Sequence, residues 1–171
     1  GSRLCALRMD RQLLAERGVT GATVADRLPG MQHSGGRFEV EGDDRTPTYG
    51  HDARVASVDS EFFAALGVPL LSGRGFALSD VASGRDVAIV NTSFVERVMR
   101  GRNPVGHRVR LVARGSEQPA GPWIEIIGAV RDIGMSGTDG VGLYRPLAPD
   151  YATMRLALHV AGSPESFAAR L

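Results

Sequence analysis

The side chains that most often bind metals or act as nucleophiles are few in this 171-residue sequence and lie far apart. A metal centre needs several ligands close together, and a helical pair of histidines would be separated by four positions. No two histidines have that spacing, and the single cysteine, Cys5, excludes an internal disulfide and any thiolate cluster. The sequence therefore predicts no metal site. The histidines are His33, His51, His107 and His159.

Nucleophile elbows and phosphate-binding loops need glycines at fixed spacing, and the glycine-rich segments here lack that spacing. Ser136, within Gly-Met-Ser-Gly, does not complete the G-x-S-x-G pattern and is interpreted as part of a flexible connection. Residues 134–142 and 73–76 contain no lysine and precede no expected helix start, which argues against a phosphate loop. The adjacent Asp43 and Asp44 fit a turn. We therefore predict no catalytic residue and no cofactor-binding residue.

Positive charge is concentrated in one arginine-rich stretch. The net charge is only +1, and a nucleic-acid groove would also need aromatic side chains for stacking. None lies between Phe94 and Trp123. We therefore expect no nucleic-acid partner and interpret these arginines as an exposed helix face and strand edge. Contact with anionic lipid headgroups or an acidic partner is the alternative. The arginines are Arg97, Arg100, Arg102, Arg108, Arg110 and Arg114.

Length and composition indicate a folded domain. With 171 residues, 43% of them hydrophobic, the chain can form one domain or two small lobes around a packed core. It contains no apolar run of about 18 residues, the length that a membrane-spanning helix requires. Residues 1–2, Gly-Ser, are interpreted as a tag-cleavage scar. Both ends of the sequence fall within amphipathic segments, which favours an excised fragment of a longer protein.

Hydrophobic periodicity and turn residues predict an α+β fold rich in strands. Strands are predicted where apolar and polar residues alternate, or where a short β-branched run is fully apolar. Helices are predicted where apolar residues recur at helical spacing between a capping residue and a glycine. Strands are expected at 19–25, 38–41, 49–58, 87–90, 108–112, 123–130 and 154–160, and helices at 3–17, 60–66, 92–98 and from 163 onward.

Two of these helices carry clear start and stop signals. Asp59 is expected to cap a short helix that Gly67 ends. Asn91 is expected to cap a second helix, which Gly101 ends. A capping side chain accepts a hydrogen bond from an otherwise unpaired backbone N–H group, so Asn91→Ala should cost about 1 kcal/mol of stability. These residues therefore have structural rather than chemical roles.

The order of elements along the chain indicates two lobes. A helix and a strand open the sequence, a strand and a helix close it, and a strand-rich body lies between them. This near mirror order favours one lobe made of residues 3–35 and 143–171, around an inserted lobe of residues 36–133. The glycine-rich residues 134–142 form the connection.

Several phrases of the sequence resemble the signature of a known family. The phrases occur in the family's order at 55–76, 87–91, 103–109, 123–132 and 143–146. The first phrase includes Phe-Phe-Ala-Ala-Leu-Gly-Val-Pro-Leu-Leu-Ser-Gly-Arg. In the family an acidic turn separates the first phrase from the second. The chain resembles the MacB-like periplasmic core domain of ABC transporter permeases of the FtsX/MacB type. Asp59 replaces a usual proline, and His107 replaces a commoner basic residue. The structural signature comprises Phe62, Phe63, Gly67, Gly73, Arg74, Asn91, Pro104, Gly106, Tyr144 and Pro146.

The resemblance implies a non-enzymatic domain on the extracytoplasmic, periplasmic face of a cell-membrane permease. Such domains have a porter-like α/β lobe nearest the membrane and a strand-rich lobe inserted into it. The implied role is mechanical and needs no cofactor: ATP hydrolysis in the cytoplasm is coupled to the export or release of a substrate. The implied partners are the transmembrane helices of the same chain, an ATPase domain or subunit, and a periplasmic adaptor or the transported substrate.

Two other functions are compatible with the residues alone. A small-ligand sensor domain of a membrane protein would need a deep cavity with converging polar groups. A hydrolase, the least favoured function, would need a pocket with clustered and strongly perturbed titratable groups.

Overall fold

The computed structural model describes residues 18–83, 85–112, 120–135, 140–148 and 154–161 of the chain. Within these residues nine strands predominate over three short helices, none of which is long and apolar enough to cross a membrane. The α+β expectation is confirmed. The strands are β1 (Val19–Ala25), β2 (Ser34–Val40), β3 (His51–Val58), β4 (Leu70–Gly73), β5 (Val87–Asn91), β6 (Arg108–Leu111), β7 (Ile124–Val130), β8 (Gly142–Pro146) and β9 (Arg155–Val160). The helices are α1 (Phe62–Ala65), α2 (Leu78–Ser83) and α3 (Thr92–Arg97).

Strand β5 shows how the sequence produces the centre of the sheet. Its residues, Val-Ala-Ile-Val-Asn, include three β-branched side chains that fit a pleated strand, and every residue is buried. β5 runs parallel to β7 and antiparallel to β8, so both of its edges are hydrogen-bonded. Because successive side chains point to opposite faces, β5 supplies core residues to both faces of the sheet.

Six strands close into a ring of hydrogen-bonded neighbours. The sheet follows the order β2–β6–β7–β5–β8–β3–β1–β9, and β2 also pairs with β3. Phe38 of β2 makes the closure, because it is in register with His51 of β3 and with Leu111 of β6. We call β2, β3, β5, β6, β7 and β8 the ring. Closure gives each of these strands a neighbour on both sides, which protects their edges from pairing with other chains.

Three strands lie outside the ring. β4 pairs antiparallel with β7. β1 pairs antiparallel with β9 along its length, from Val19 to Ala25. β1 reaches the ring through β3, where Ala25 is in register with Val58. We call β1 and β9 the terminal pair; it is attached to the ring along a short stretch of one strand.

Two hydrophobic clusters lie on opposite faces of β5. The first has members on all six ring strands, including Phe38, Val90 and Ile126, and therefore fills the ring. The second contains Phe62 of α1 together with Ile89. Ile89 and Val90 are adjacent in β5 and belong to different clusters, as strand alternation requires. Burial on both faces explains why β5 lacks the polar alternation of a surface strand.

Asp59 does not cap α1 as expected. The N-cap position is Glu61, which makes no side-chain hydrogen bond, and the helix begins at Phe62. The Asp59 carboxylate accepts hydrogen bonds from Val24 N (2.6 Å), Thr23 Oγ1 (2.6 Å) and Glu61 N (3.2 Å). Aspartate often accepts hydrogen bonds from nearby backbone N–H groups, and Asp59 does so both from Val24 in β1 and from Glu61 in its own turn. Asp59 fastens the start of α1 to the terminal pair.

Other elements also differ from the sequence-based expectation, and β4 and β8 form strands where none was predicted. β2 begins at Ser34 because residues 34–37 pair with β3, and the predicted lobe boundary after residue 35 falls inside this strand. α2 was not expected, because its one buried residue is Asp80 and its sequence lacks apolar periodicity. Residues 73–76 therefore do precede a helix. The predicted helices at the two ends of the chain lie outside the described residues.

Candidate functional site

The first group of signature residues is an aromatic cluster between α1 and β8. Phe63 meets Tyr144 edge to face with ring centroids 5.0 Å apart, and Phe62 lies 6.0 Å from the same tyrosine ring. All three side chains are buried. Gly67 follows with φ of +64°, a left-handed conformation that favours glycine, and it ends α1 as expected. The cluster holds the short helix against the ring.

Tyr144 is unsuited to acid–base chemistry near neutral pH. Its hydroxyl group is buried and has no hydrogen-bond partner among the described residues. Burial, with a smaller contribution from the negative charge of Asp132, raises the pKa of this phenol far above its ordinary value. The phenol therefore stays protonated, and the side chain contributes packing.

The second group lies where β4 and β7 approach so closely that both strands need glycine. A Cβ atom on Gly73 would overlap the carbonyl oxygen of Ile127 and lie 2.8 Å from Gly128 Cα. A Cβ atom on Gly128 would lie 2.5 Å from the carbonyl oxygen of Arg74. Gly73 also has φ of +72°. The backbone N–H of Arg74 donates to the Ile127 oxygen at 2.9 Å, so the close approach is also hydrogen-bonded.

Arg74, which follows Gly73, forms an ion pair with Asp80, a buried residue of α2. Its Nη1 donates to Asp80 Oδ2 at 2.6 Å, and its Nη2 lies 3.4 Å from Oδ1. Ala77 N also donates to Oδ2 at 2.9 Å, and Arg85 lies 3.8 Å from Oδ1. The hydrogen bond from Arg74 is the main reason that the pKa of Asp80 lies below its ordinary value. The ionised carboxylate joins α2 to the β4–β7 contact.

The third group surrounds Asn91, which is fully buried where β5 meets α3. Its Oδ1 accepts the predicted N-cap hydrogen bond from Phe94 N at 3.0 Å, so the expected cap is confirmed. The same oxygen accepts from Gly142 N at 2.9 Å, and Nδ2 donates to the Gly140 carbonyl at 2.6 Å. A Cβ atom on Gly142 would lie 2.6 Å from Met135 Sδ. Asn91 therefore fastens β8 to β5 in addition to capping α3.

The remaining signature residues shape turns and a strand end. His107 N donates to the Pro104 carbonyl at 3.1 Å, and Gly106 has φ of +87°. Gly106 N donates to the Ile126 carbonyl at 2.9 Å, which fastens the turn to β7. Pro146 ends β8 in register with Val58 of β3.

Sequence reasoning missed two carboxylates that complete these contacts. Asp80 lies between the first two phrases, where the family has an acidic turn, and this position was the one sequence signal for it. Asp132, the last residue of the fourth phrase, accepts hydrogen bonds from Ser93 N (3.0 Å) and Ser93 Oγ (2.6 Å). It therefore supports the first turn of α3 beside Asn91. Neither partnership could be read from local periodicity, because Ser93 and Asp132 are 39 residues apart and Arg74 and Asp80, although close in sequence, share no helix or strand.

The arginine-rich stretch forms ion pairs along the ring. Arg108 Nη2 lies 2.5 Å from Glu41 Oε1. Arg110 pairs with Glu39, and its guanidinium carbon lies 4.5 Å from the centroid of the Trp123 ring. The carboxylates neutralise these two arginines. The arrangement supports the strand-edge interpretation over a lipid-binding surface.

Groups suited to metal binding do not converge in the part of the chain that the structure describes. There, no three histidine, cysteine, aspartate or glutamate side chains are arranged to hold a metal ion. Burial lowers the pKa of His33 and of His51. His159 Nδ1 is hydrogen-bonded to Thr20 Oγ1 at 2.9 Å. The signature residues Arg74 and Asn91 instead make hydrogen bonds between neighbouring elements.

A family model of the MacB-like periplasmic core domain matches residues 9–170, nearly the whole chain. The chain belongs to this family. The resemblance carried by the sequence phrases is thereby confirmed. The family consists of domains of ABC transporter permeases and is not a known enzyme class. No curated protein matches the sequence.

Solved structures share the fold of this MacB-like domain. The periplasmic region of MacB from Actinobacillus actinomycetemcomitans has a TM-score of 0.61 and 16% identity, over 96% of this chain and 68% of that one. The extracellular domain of the noncanonic ABC-type transporter YknZ from Gram-positive bacteria has a TM-score of 0.60 and 15% identity, over 95% and 75%. A domain of a permease protein from Porphyromonas gingivalis gives 0.60 and 15%, over 95% and 72%.

Proposed function

We propose that this MacB-like domain is a mechanical coupling element on the extracytoplasmic face of a cell-membrane permease. ATP binding and hydrolysis by a cytoplasmic ATPase domain or subunit would move the transmembrane helices of the same chain. The domain would transmit that motion to the export or release of a substrate. A periplasmic adaptor protein or the substrate itself would contact it. Membership of the family supports this location.

The observation that carries the proposal is the use of signature side chains as joints between elements. Arg74 joins β4 to α2, and Asn91 joins β5 to α3 and β8. Tyr144 packs β8 against α1. A domain that transmits force needs elements that move together, and closely packed interiors transmit strain because they have low compressibility. These joints favour a rigid body over a catalytic site.

We place the flexible boundary of the domain between the ring and the terminal pair. The ring with β4, residues 34–147, would form the strand-rich inserted lobe. The terminal pair would belong to the porter-like lobe with residues 3–33 and 148–171. These bounds extend the sequence-based inserted lobe, because β8 lies between β5 and β3 in the sheet. The short β1–β3 contact supports a boundary there.

Electron paramagnetic resonance distance measurement tests the proposal in the full permease with its ATPase, reconstituted in nanodiscs. The background carries Cys5→Ser and lacks other reactive cysteines. Spin labels at Arg131→Cys, after β7, and His159→Cys, in β9, report the distance between the ring and the terminal pair. Labels at Asp52→Cys and Glu125→Cys report a distance within the ring. All four label positions are exposed.

Between the nucleotide-free state and the vanadate-trapped state, we expect the ring-to-pair distance distribution to shift while the distribution within the ring stays unchanged. A ring-to-pair distance that does not respond to nucleotide would overturn the coupling function. A shift of equal size within the ring would contradict the rigid body on which the proposed boundary depends.

A further inference from the structure

An open cleft of about 510 Å³ lies where the ring and the terminal pair meet. It is bounded by the segment that follows β1, the start of β2 and the start of β9. Two arginines from different elements line it, together with a methionine, a histidine and two neutral polar side chains. The lining residues are Arg27, Met31, Gln32, His33, Ser34 and Arg155.

Both arginines of the cleft are held in place by neutral backbone oxygens. Arg27 donates from Nε to the Gln32 carbonyl at 3.2 Å and from Nη1 to the Asp26 carbonyl at 3.3 Å. Arg155 Nη1 donates to the same Asp26 carbonyl at 2.5 Å. Within the described residues no salt bridge to a carboxylate is formed by either side chain. The two positive charges are therefore oriented without being neutralised, and donor N–H groups remain on each guanidinium.

A third arginine lies behind the cleft. Arg54 Nη1 donates to the His33 carbonyl at 3.3 Å. Arg54 Nε and His33 Nδ1 are buried and have no hydrogen-bond partner among the described residues. Asp26 is a nearby carboxylate and accepts a hydrogen bond from Ser57 N at 2.8 Å. Among the described residues, the side chains around His33 thus include the guanidinium groups of Arg27 and Arg54 and the carboxylate of Asp26, and with Arg155 the described part of the cleft has a net positive charge.

We propose that this cleft binds an oxyanion, the phosphate group of a small molecule or of a lipid headgroup, between Arg27 and Arg155. The planar guanidinium fork matches phosphate oxygens, and charge-assisted hydrogen bonds to it are about twice as strong as neutral ones. The exposed side chains of Gln32 and Ser34 add donors for the remaining oxygens. Because Ser34 belongs to the ring and Arg155 to the terminal pair, a bound phosphate links the two parts.

Titration of the ¹⁵N-labelled 171-residue chain with inorganic phosphate tests the site, with sodium chloride at equal ionic strength as the reference. We expect saturable shifts of the backbone amides of Arg27, Gln32, Ser34 and Arg155. Arg27→Gln and Arg155→Gln should each weaken binding about tenfold, a loss that corresponds to about 1.4 kcal/mol. Arg131→Gln, which removes an exposed positive charge outside the cleft, should leave binding unchanged.

Shifts that grow linearly with phosphate, or that chloride reproduces, would overturn the proposal. An affinity unaffected by Arg27→Gln would overturn it as well. Arg155→Gln also removes a hydrogen bond to the Asp26 carbonyl, so its fold is checked by circular dichroism. If that variant is unfolded, Arg27→Gln decides the outcome, with Arg27→Lys expected to bind with intermediate affinity.

Two further ligands distinguish the sources of the phosphate. Glycerol 3-phosphate carries the group on a small polar molecule, and dihexanoyl phosphatidic acid carries it on a soluble lipid. Tighter binding of the lipid identifies a headgroup ligand, and equal or tighter binding of glycerol 3-phosphate identifies a small-molecule ligand. Failure of both to compete with inorganic phosphate would overturn the assignment of the ligand as the phosphate group of a small molecule or of a lipid headgroup.

Discussion

The ring and the terminal pair are built from similar strands but differ in how completely they are enclosed. In β5 every residue is buried, and in β7 all residues except Glu125 are buried. In β9 each residue is half-buried or exposed. Each ring strand has at least two neighbours, whereas β9 pairs, among the described residues, with β1 alone. Hydrophobic stabilisation follows the apolar area removed from water and is therefore concentrated in the ring.

From this difference we expect the two parts to differ in mechanical behaviour. Regions with few buried apolar contacts open at lower free energy than a packed core. The ring should therefore move as one body, while the terminal pair can change its position relative to it. Two features lie at the junction of the two parts: the hydrogen bonds that Asp59 accepts from β1, and the arginine cleft. A change in the relative position of the two parts should alter these contacts first.

The largest effect is expected where β4 touches β7. In Gly73→Ala the new methyl group would overlap the Ile127 carbonyl oxygen at a position where φ is +72°. Backbone atoms cannot move aside as a flexible side chain can, so we expect a loss of at least about 3 kcal/mol in the free energy of unfolding. Urea denaturation followed by circular dichroism measures it.

Gly67→Ala is the matched control for this substitution. Gly67 has a similar φ of +64°, but a Cβ atom there meets nothing within 4 Å. Its cost should be confined to backbone strain, about 1–2 kcal/mol. Equal losses in the two variants would show that backbone conformation, and not the close approach of β4 to β7, makes glycine necessary at Gly73.

One substitution made in both parts measures their difference directly. Leu143→Ala in β8 empties a site that is 0% exposed, and we expect it to lower the free energy of unfolding by about 3 kcal/mol through lost burial and a cavity. Leu156→Ala in β9 shortens a side chain that is 37% exposed. Because much of that side chain already meets water, its loss should stay below about 1 kcal/mol. Similar losses at the two sites would refute the contrast between ring and terminal pair.

Asn91→Ala is expected to cost more than an ordinary helix cap. Capping alone accounts for about 1 kcal/mol. The buried side chain also donates a hydrogen bond to the Gly140 carbonyl and accepts one from Gly142 N. Leaving those backbone groups unpaired raises the expected loss to about 2–3 kcal/mol. Asn103→Ala, which removes one exposed hydrogen bond to Val105 N, should cost about 0.5 kcal/mol. A loss near 1 kcal/mol for Asn91→Ala would show that β8 is held by other contacts.

Local sequence signals were sufficient for the elements whose cause is local. The apolar run of β5 and the cap at Asn91 agree with their sequence-based predictions, because strand burial and N-capping depend on a few neighbouring residues. Closure of the ring at Phe38 depends on the register of three strands, which no local pattern contains. Asp80 was missed for a different reason: its partner Arg74 is near in sequence but shares no helix or strand with it, so periodicity does not relate the two residues.

The arginine cleft illustrates a second limit of sequence reasoning. Arg27 and Arg155 are far apart in the sequence and lie outside the dense arginine stretch. The distribution of charge along the chain therefore does not indicate that they share a site. In the structure the dense stretch is partly neutralised by Glu39 and Glu41, while the two distant arginines share one cleft. Pairing of β1 with β9 creates this arrangement.

The Arg74–Asp80 pair should give the smallest effect, and one that depends on pH. Asp80→Asn removes the negative charge facing Arg74 but keeps one acceptor oxygen, so we expect a loss of about 1–2 kcal/mol at neutral pH. The pKa of Asp80 in the folded protein lies below its ordinary value of 3.8, mainly because of Arg74. The stabilisation is therefore complete above that ordinary value and is lost as the pH falls through the lower, folded-state pKa.

Urea unfolding of the parent and of Asp80→Asn at neutral and successively lower pH checks this dependence. The two stabilities should converge as Asp80 becomes protonated, because a neutral carboxyl group and an amide hold Arg74 about equally. Asp52→Asn is the control: its partner Arg37 is 41% exposed and Asp52 itself is 59% exposed. Solvent screening should keep that loss below about 0.5 kcal/mol. A gap for Asp80→Asn that persisted undiminished at the lowest pH would assign the loss to amide geometry instead of charge, and would show that the ion pair does not hold α2 next to β4.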